Sequence, residues 1–128
     1  MKNKAGNQNL KELTKAEEQI MQVLWKIEKG FIKNILDELP EPKPAYNTVS
    51  TIVRILEKKN FVGYKNYGKA HEYFPQISKA EYTKFSTGNL LESYFNDSPK
   101  SLLSFFIKEK KIDLNELEDI IKTMKKNG

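Results

Sequence analysis

Between residues 14 and 75 the spacing of apolar residues changes character once, and that change limits the possible folds more than any other feature of the chain. Up to residue 59 the apolar positions recur at intervals of three and four, the period of helices with one buried stripe. From Phe61 onward, β-branched and aromatic strand formers take over. A first helix is expected to open at Thr14, where Thr14 and Glu17 have capping-box spacing. Ala16, Ile20, Val23, Leu24 and Ile27 form its stripe, and Gly30 is expected to end it in a left-handed conformation. Ile32, Ile35, Leu36 and Leu39 predict a second, short helix. Pro40, Pro42 and Pro44 forbid its continuation, because each lacks an N–H and restricts the residue before it. The third helix is expected over residues 47–59, with Val49, Ile52, Val53 and Leu56 inward. Residues 61–75, FVGYKNYGKAHEYFP, read as a small hairpin whose turn is marked by Asn66 and Gly68 and whose second strand ends at Pro75.

The outer side of the third helix carries Asn47, Thr48, Ser50, Thr51, Arg54 and Lys58. Solvated helix faces are ordinarily rich in Glu and Lys, whereas Asn, Thr and Ser are poor helix formers. That cost points to another use. Three helices followed by a hairpin with a basic tip give a winged helix-turn-helix, in which the third helix lies in the major groove of DNA. The groove is roughly 12 Å wide, and short side chains let a helix sit deep in it. Thr48, Ser50 and Thr51 suit base edges or phosphates, and Arg54 and Lys58 reach guanine or phosphate. Asn47 fits either a bidentate bond to adenine or a helix N-cap. Lys65 and Lys69, beside the hairpin turn, are expected to hold phosphate. Tyr64, Tyr67 and Tyr73 are expected to pack the hairpin onto the domain, with His71 among them.

The remainder reads as helical. Ser78 and Glu81 open a helix to about residue 95, Ser98-Pro99 starts another, and Asp113 with Glu116 starts the last. Phe85, Leu90, Leu91, Tyr94, Phe95, Leu102, Leu103, Phe105 and Phe106 are too many apolar groups for peripheral helices on so small a domain. The final helix adds Leu114, Leu117, Ile120, Ile121 and Met124. Folding back on their own winged domain would cover them, but an intertwined homodimer is the favoured cover, with Leu91, Tyr94, Leu102, Leu103, Phe106, Leu117 and Ile121 as candidate contacts. Two recognition helices related by a two-fold axis would then read half-sites about 34 Å apart, or a multiple of that. The expected architecture is therefore mainly α with a small β-hairpin. It divides into a disordered arm over residues 1–12, a winged helix-turn-helix over 13–76 and a helical dimerisation region over 77–128.

Composition narrows the function. Twenty-two Lys and Arg against 17 Asp and Glu give a net charge of +5, which favours an anionic partner. With one His, no Cys, no glycine-rich phosphate loop and no paired acidic motif, neither an enzyme nor a metal or cofactor site is expected. The first ten residues lack the apolar region of a signal peptide, and no run is long enough to span a membrane, so a cytoplasmic protein without membrane insertion is expected. Two rivals share the fold: a ligand-responsive winged-helix regulator, and a winged helix that contacts proteins without binding DNA.

The segments LTKAEEQIMQVLW and YNTVSTIVRILEKKNFVGYKNYGKAHEYFP, followed by the pattern of SPKSLLSFFIKEKKIDLNELEDIIK, resemble the penicillinase-repressor family (BlaI/MecI/CopY) from about Leu13 to Met124. The resemblance implies a homodimeric transcriptional repressor on a palindromic operator. Thr48 and Thr51 match the Thr-x-x-Thr of the family's recognition helix. Ser50 stands at a position that is often basic, Ile55 where Arg is usual, and Asn60 where Gly is usual. Many relatives are inactivated by tail cleavage triggered by a membrane-bound metalloprotease sensor. The cut falls at an Asn-Phe bond that corresponds here to Phe105-Phe106. The Cys-x-Cys of copper-responsive relatives is absent.

Overall fold

The computed structural model describes residues 10–127, and it divides into two compact units that meet between Ser86 and Thr87. Of the arm expected over residues 1–12, residues 1–9 lie outside the described residues. Leu10 is half-buried against the core, and Glu12 accepts hydrogen bonds from Tyr82 Oη at 3.0 Å and Ser86 Oγ at 3.3 Å.

Helix α1 (Lys15–Ile27) begins with the expected capping box. The Glu17 N–H donates to Thr14 Oγ1 at 3.2 Å, and the Thr14 N–H donates to Glu17 Oε1 at 2.9 Å. Ile20, Met21, Val23 and Leu24 are buried, whereas Ala16 is exposed and Glu17 takes the inward place. The helix does not end on Gly30 as expected. Glu28 turns left-handed, with φ of 75°, and its N–H still donates to the Leu24 carbonyl. Gly30 has another role: its N–H and C=O exchange hydrogen bonds of 2.9 and 2.8 Å with Tyr73, as an added strand position. A Cβ there would lie 2.9 Å from Ile27 Cδ1 and 3.1 Å from Asn34 Cβ, so only glycine fits without movement.

Helix α2 (Ile32–Glu38) buries Ile32 and Ile35. Lys43 curls back to donate to the carbonyls of Leu36, Asp37 and Leu39, satisfying the open C-terminal end of this helix. Helix α3 (Tyr46–Lys58) buries Val49, Val53 and Leu56 against α1 and α2. It ends in a Schellman motif. Asn60 has φ of 66°, its N–H donates to Glu57 O at 3.0 Å, and the Phe61 N–H donates to Leu56 O at 2.9 Å. Phe61 and Leu56, paired by this motif, are both fully buried. The motif also aims the chain directly into the hairpin.

Strands β1 (Val62–Tyr67) and β2 (Ala70–Pro75) pair antiparallel, from Val62 opposite Pro75 to Tyr67 opposite Ala70. The loop is therefore Gly68-Lys69, one step later than the sequence suggested, and Asn66 is a strand residue opposite His71. Gly68 stands first in the loop with φ of 66°, where a two-residue type II′ turn demands glycine.

Helix α4 (Lys79–Tyr94) opens with reciprocal bonds between Ser78 and Glu81, each 3.0 Å. Its first turns belong to the N-terminal unit. Tyr82 is buried beside Phe61 and Trp25, its hydroxyl accepts from the Leu13 N–H at 2.8 Å, and Trp25 Nε1 donates to the Ile77 carbonyl at 2.8 Å. The second unit comprises the end of α4, α5 (Pro99–Lys108) and α6 (Leu114–Asn127). Ser98 caps α5 ahead of Pro99, and Asp113 with Glu116 forms the capping box of α6.

Candidate nucleic-acid interface

Helix α3 is sorted by its own period. Val49, Val53 and Leu56 fix the inward direction. At about 100° per residue, Asn47, Thr51, Arg54 and Lys58 then form a stripe pointing directly away from the core. All four are exposed. Thr48 is exposed on one flank of this stripe, and Ser50 is half-buried on the other. The structure thus brings the six residues singled out on this helix onto its outer half. It also decides between the two readings of Asn47 as far as the cap is concerned. Ala45 occupies the N-cap, so Asn47 lies inside the first turn.

The Ser50 flank meets the wing. Burial pushes the Tyr73 phenol above its ordinary pKa, the Glu57 carboxylate adds to that, and the Arg54 guanidinium opposes it. Tyr73 therefore sits within electrostatic reach of both α3 side chains. Around it the wing is built from rings. Tyr64 stacks on His71 at 4.1 Å between centroids, Tyr73 lies 6.0 Å from each, and Tyr67 meets Phe31 edge-on at 5.9 Å. Tyr73, buried, and Tyr67, through Phe31, join the hairpin to the domain as expected, whereas Tyr64 and His71 pack within the hairpin itself, and Tyr64 and Tyr67 remain exposed.

The cations separate into structural and available ones. Lys59 is held by the buried Glu17 carboxylate at 2.8 and 3.0 Å, and Lys26 pairs with Glu38 at 3.0 Å. Lys43 is occupied by the α2 carbonyls. Among the described residues, the ion pairs within 4.0 Å are those two, so Arg54, Lys58, Lys65 and Lys69 are in neither. Lys65 stands opposite Glu72 and lies 5.4 Å from the centre of the Tyr67 ring. Lys69 occupies the exposed loop itself and is the better placed of the two for a phosphate.

Two exposed residues on α3 escaped the sequence reading of this face. Tyr46, 54% exposed, lies in the first turn, one residue before the expected helix start. Ile55, 40% exposed, lies on the Thr48 flank and was visible only as a departure from the family pattern.

The sequence profile described as Penicillinase repressor matches residues 13–126, from the capping box of α1 into the last turns of α6. The chain belongs to the penicillinase-repressor family. Among its relatives are the methicillin resistance regulatory protein MecI of Staphylococcus aureus (strain N315) and that of Staphylococcus epidermidis. Each is 22% identical over 110 residues, covering 85% of this chain and 89% of the relative. The protein of the same name from Mammaliicoccus sciuri is 21% identical over the same shares. As a penicillinase-repressor protein the chain is a transcriptional repressor that binds DNA, built on a winged helix-turn-helix. Among the described residues, no helix is long and apolar enough to cross a membrane.

Proposed function

We propose that the protein works in the cytoplasm as a homodimer on a palindromic operator, with α3 of each protomer in the major groove. In this reading Asn47, Thr48, Ser50 and Thr51 meet base edges or nearby phosphates. Arg54 and Lys58 reach guanine or phosphate, while Lys65 and Lys69 hold the flanking backbone. The work is binding rather than catalysis. The observation that carries the proposal is the outward stripe of α3, uncovered along its length and bearing short polar groups and unpaired cations.

A second observation supports the dimer. Among the described residues of the second unit not one is buried, although it carries Tyr94, Leu103, Phe105, Phe106, Leu114, Ile120, Ile121 and Met124. Exposed apolar surface costs about 25 cal/mol per Å² relative to burial, so a second copy contributing the same surface is its natural cover. Leu91, Tyr94, Leu102, Leu103, Phe106, Leu117 and Ile121 are the proposed contacts. Selection from a pool of random duplexes tests the reading. It should enrich an inverted repeat, and a pool left without any enriched sequence would contradict it.

Release by tail cleavage, started by a membrane-bound metalloprotease sensor, completes the proposal. The Phe105-Phe106 bond lies inside α5, with its side chains 47% and 37% exposed. Phe105 also meets Phe95 edge-on at 5.7 Å. A protease reads an extended segment, so cutting here requires α5 to open first. Incubation with an activated cognate sensor should yield fragments divided at this bond, and an intact tail would remove this step from the scheme.

A further inference from the structure

Among the described residues of the N-terminal unit, every Leu, Val, Met and Ile except one is buried or half-buried. The exception is Ile55, and it lies on α3. A lone exposed aliphatic on an arbitrary surface needs no account. This one follows Thr48 by seven residues and Thr51 by four, so the three, each carrying a methyl group, share one side of the helix. This side runs from the outward stripe, to which Thr51 belongs, round to the flank away from Tyr73 and the wing, where Thr48 and Ile55 lie.

We propose that Ile55 is a sequence-reading residue whose side chain covers the 5-methyl group of a thymine in each half-site. The claim rests on α3 being the major-groove helix. Within that groove thymine is the base that presents a methyl group, and apolar side chains are its natural contact. A cation at this position would be drawn to guanine or phosphate, whereas isoleucine has no hydrogen bond to offer and gains only by excluding water from another apolar group. Ile55 thus shifts this flank of the helix from charge-based contact to methyl recognition.

The test uses the full-length protein and a duplex enriched from the random pool. Each thymine in turn is replaced by deoxyuridine, which deletes the methyl and keeps the pairing edge. At one thymine per half-site the replacement should weaken wild-type binding about 4-fold, the worth of one buried methylene-sized group. Ile55→Ala, which removes the contact in both half-sites at once, should weaken binding to the thymine duplex by the square of that factor, roughly 16-fold, and become indifferent to deoxyuridine at that position alone. Equal responses of wild type and Ile55→Ala to every replacement would overturn the role of Ile55 while leaving α3 in the groove. A random pool that yields no enriched duplex would instead overturn the placement of α3, and this inference with it.

Discussion

Single side chains in this protein divide into those that hold the domain and those left outward for the proposed DNA contact, and chemically similar residues fall on both sides. Lys59 and Lys58 are neighbours, yet Lys59 is tied to Glu17 while Lys58 points outward. Burial pushes the Glu17 carboxyl up, but the Lys59 ammonium and the Thr14 backbone and hydroxyl bonds outweigh it, so the pKa falls below its usual 4.5. The stability from a depressed carboxylate is complete above the unfolded value and drains away as pH falls through the folded one. Lys59→Met leaves Glu17 buried without its cation. With 31% of the Lys59 side chain exposed, the cost should be about 2 kcal/mol at neutral pH, below that of a fully buried pair. Thermal melting should show the gap to wild type largest at neutral pH and narrowing as acid protonates Glu17, first in the variant and then in the wild type; a gap that acid leaves unchanged would contradict this. Among the proposed DNA contacts, Thr51→Ala should cost about 1–3 kcal/mol per half-site on the selected site and little on random duplex. Lys69→Ala removes one phosphate contact per protomer, so it should weaken both alike and lower the salt slope of the dimer by about two. Titrations at several salt concentrations separate these two behaviours, and identical effects would merge the assigned roles.

At the scale of elements, what was legible in the sequence is what is local. Capping boxes at Thr14, Ser78 and Asp113 and the inward stripes of α1, α2 and α3 all lie within a few residues of one another, so spacing alone displays them. The hairpin was legible too, but its loop was misplaced by one residue, because register is settled by pairing across strands. Gly30 was misread for the same reason: its partner, Tyr73, is distant in sequence. The links Lys59–Glu17, Trp25–Ile77 and Tyr82–Leu13 left no local mark at all. On the outer half of α3 the polar residues could be named in advance because they break helix propensity, whereas Ile55 could not, since an isoleucine looks like core until its neighbours are placed. The Tyr82 link carries a prediction of its own. Tyr82→Phe keeps the buried ring but leaves the Leu13 N–H without its acceptor, which should cost about 1–3 kcal/mol in denaturant unfolding. A midpoint unchanged from wild type would show that Leu13 finds another acceptor.

The whole molecule presents two incomplete surfaces, a polar helix face suited to a groove and an apolar helical unit suited to its own copy. Among the described residues neither is covered, and in the proposed dimer the two needs are linked. A single recognition helix gives a weak contact, and pairing two through the second unit raises the effective concentration of the second contact. Ile121→Asp places a charge on the apolar side of α6 and should produce monomers by sedimentation, with operator affinity falling by at least about 100-fold. A dimer that survives this change would move the interface elsewhere. The most direct measurement is the mass of the protein–operator complex by light scattering on an enriched duplex in dilute salt. Two copies of the 14.9 kDa chain per duplex are expected, dimeric before DNA is added. A 14.9 kDa species that leaves the duplex unbound would contradict both the groove-facing helix and the shared tail.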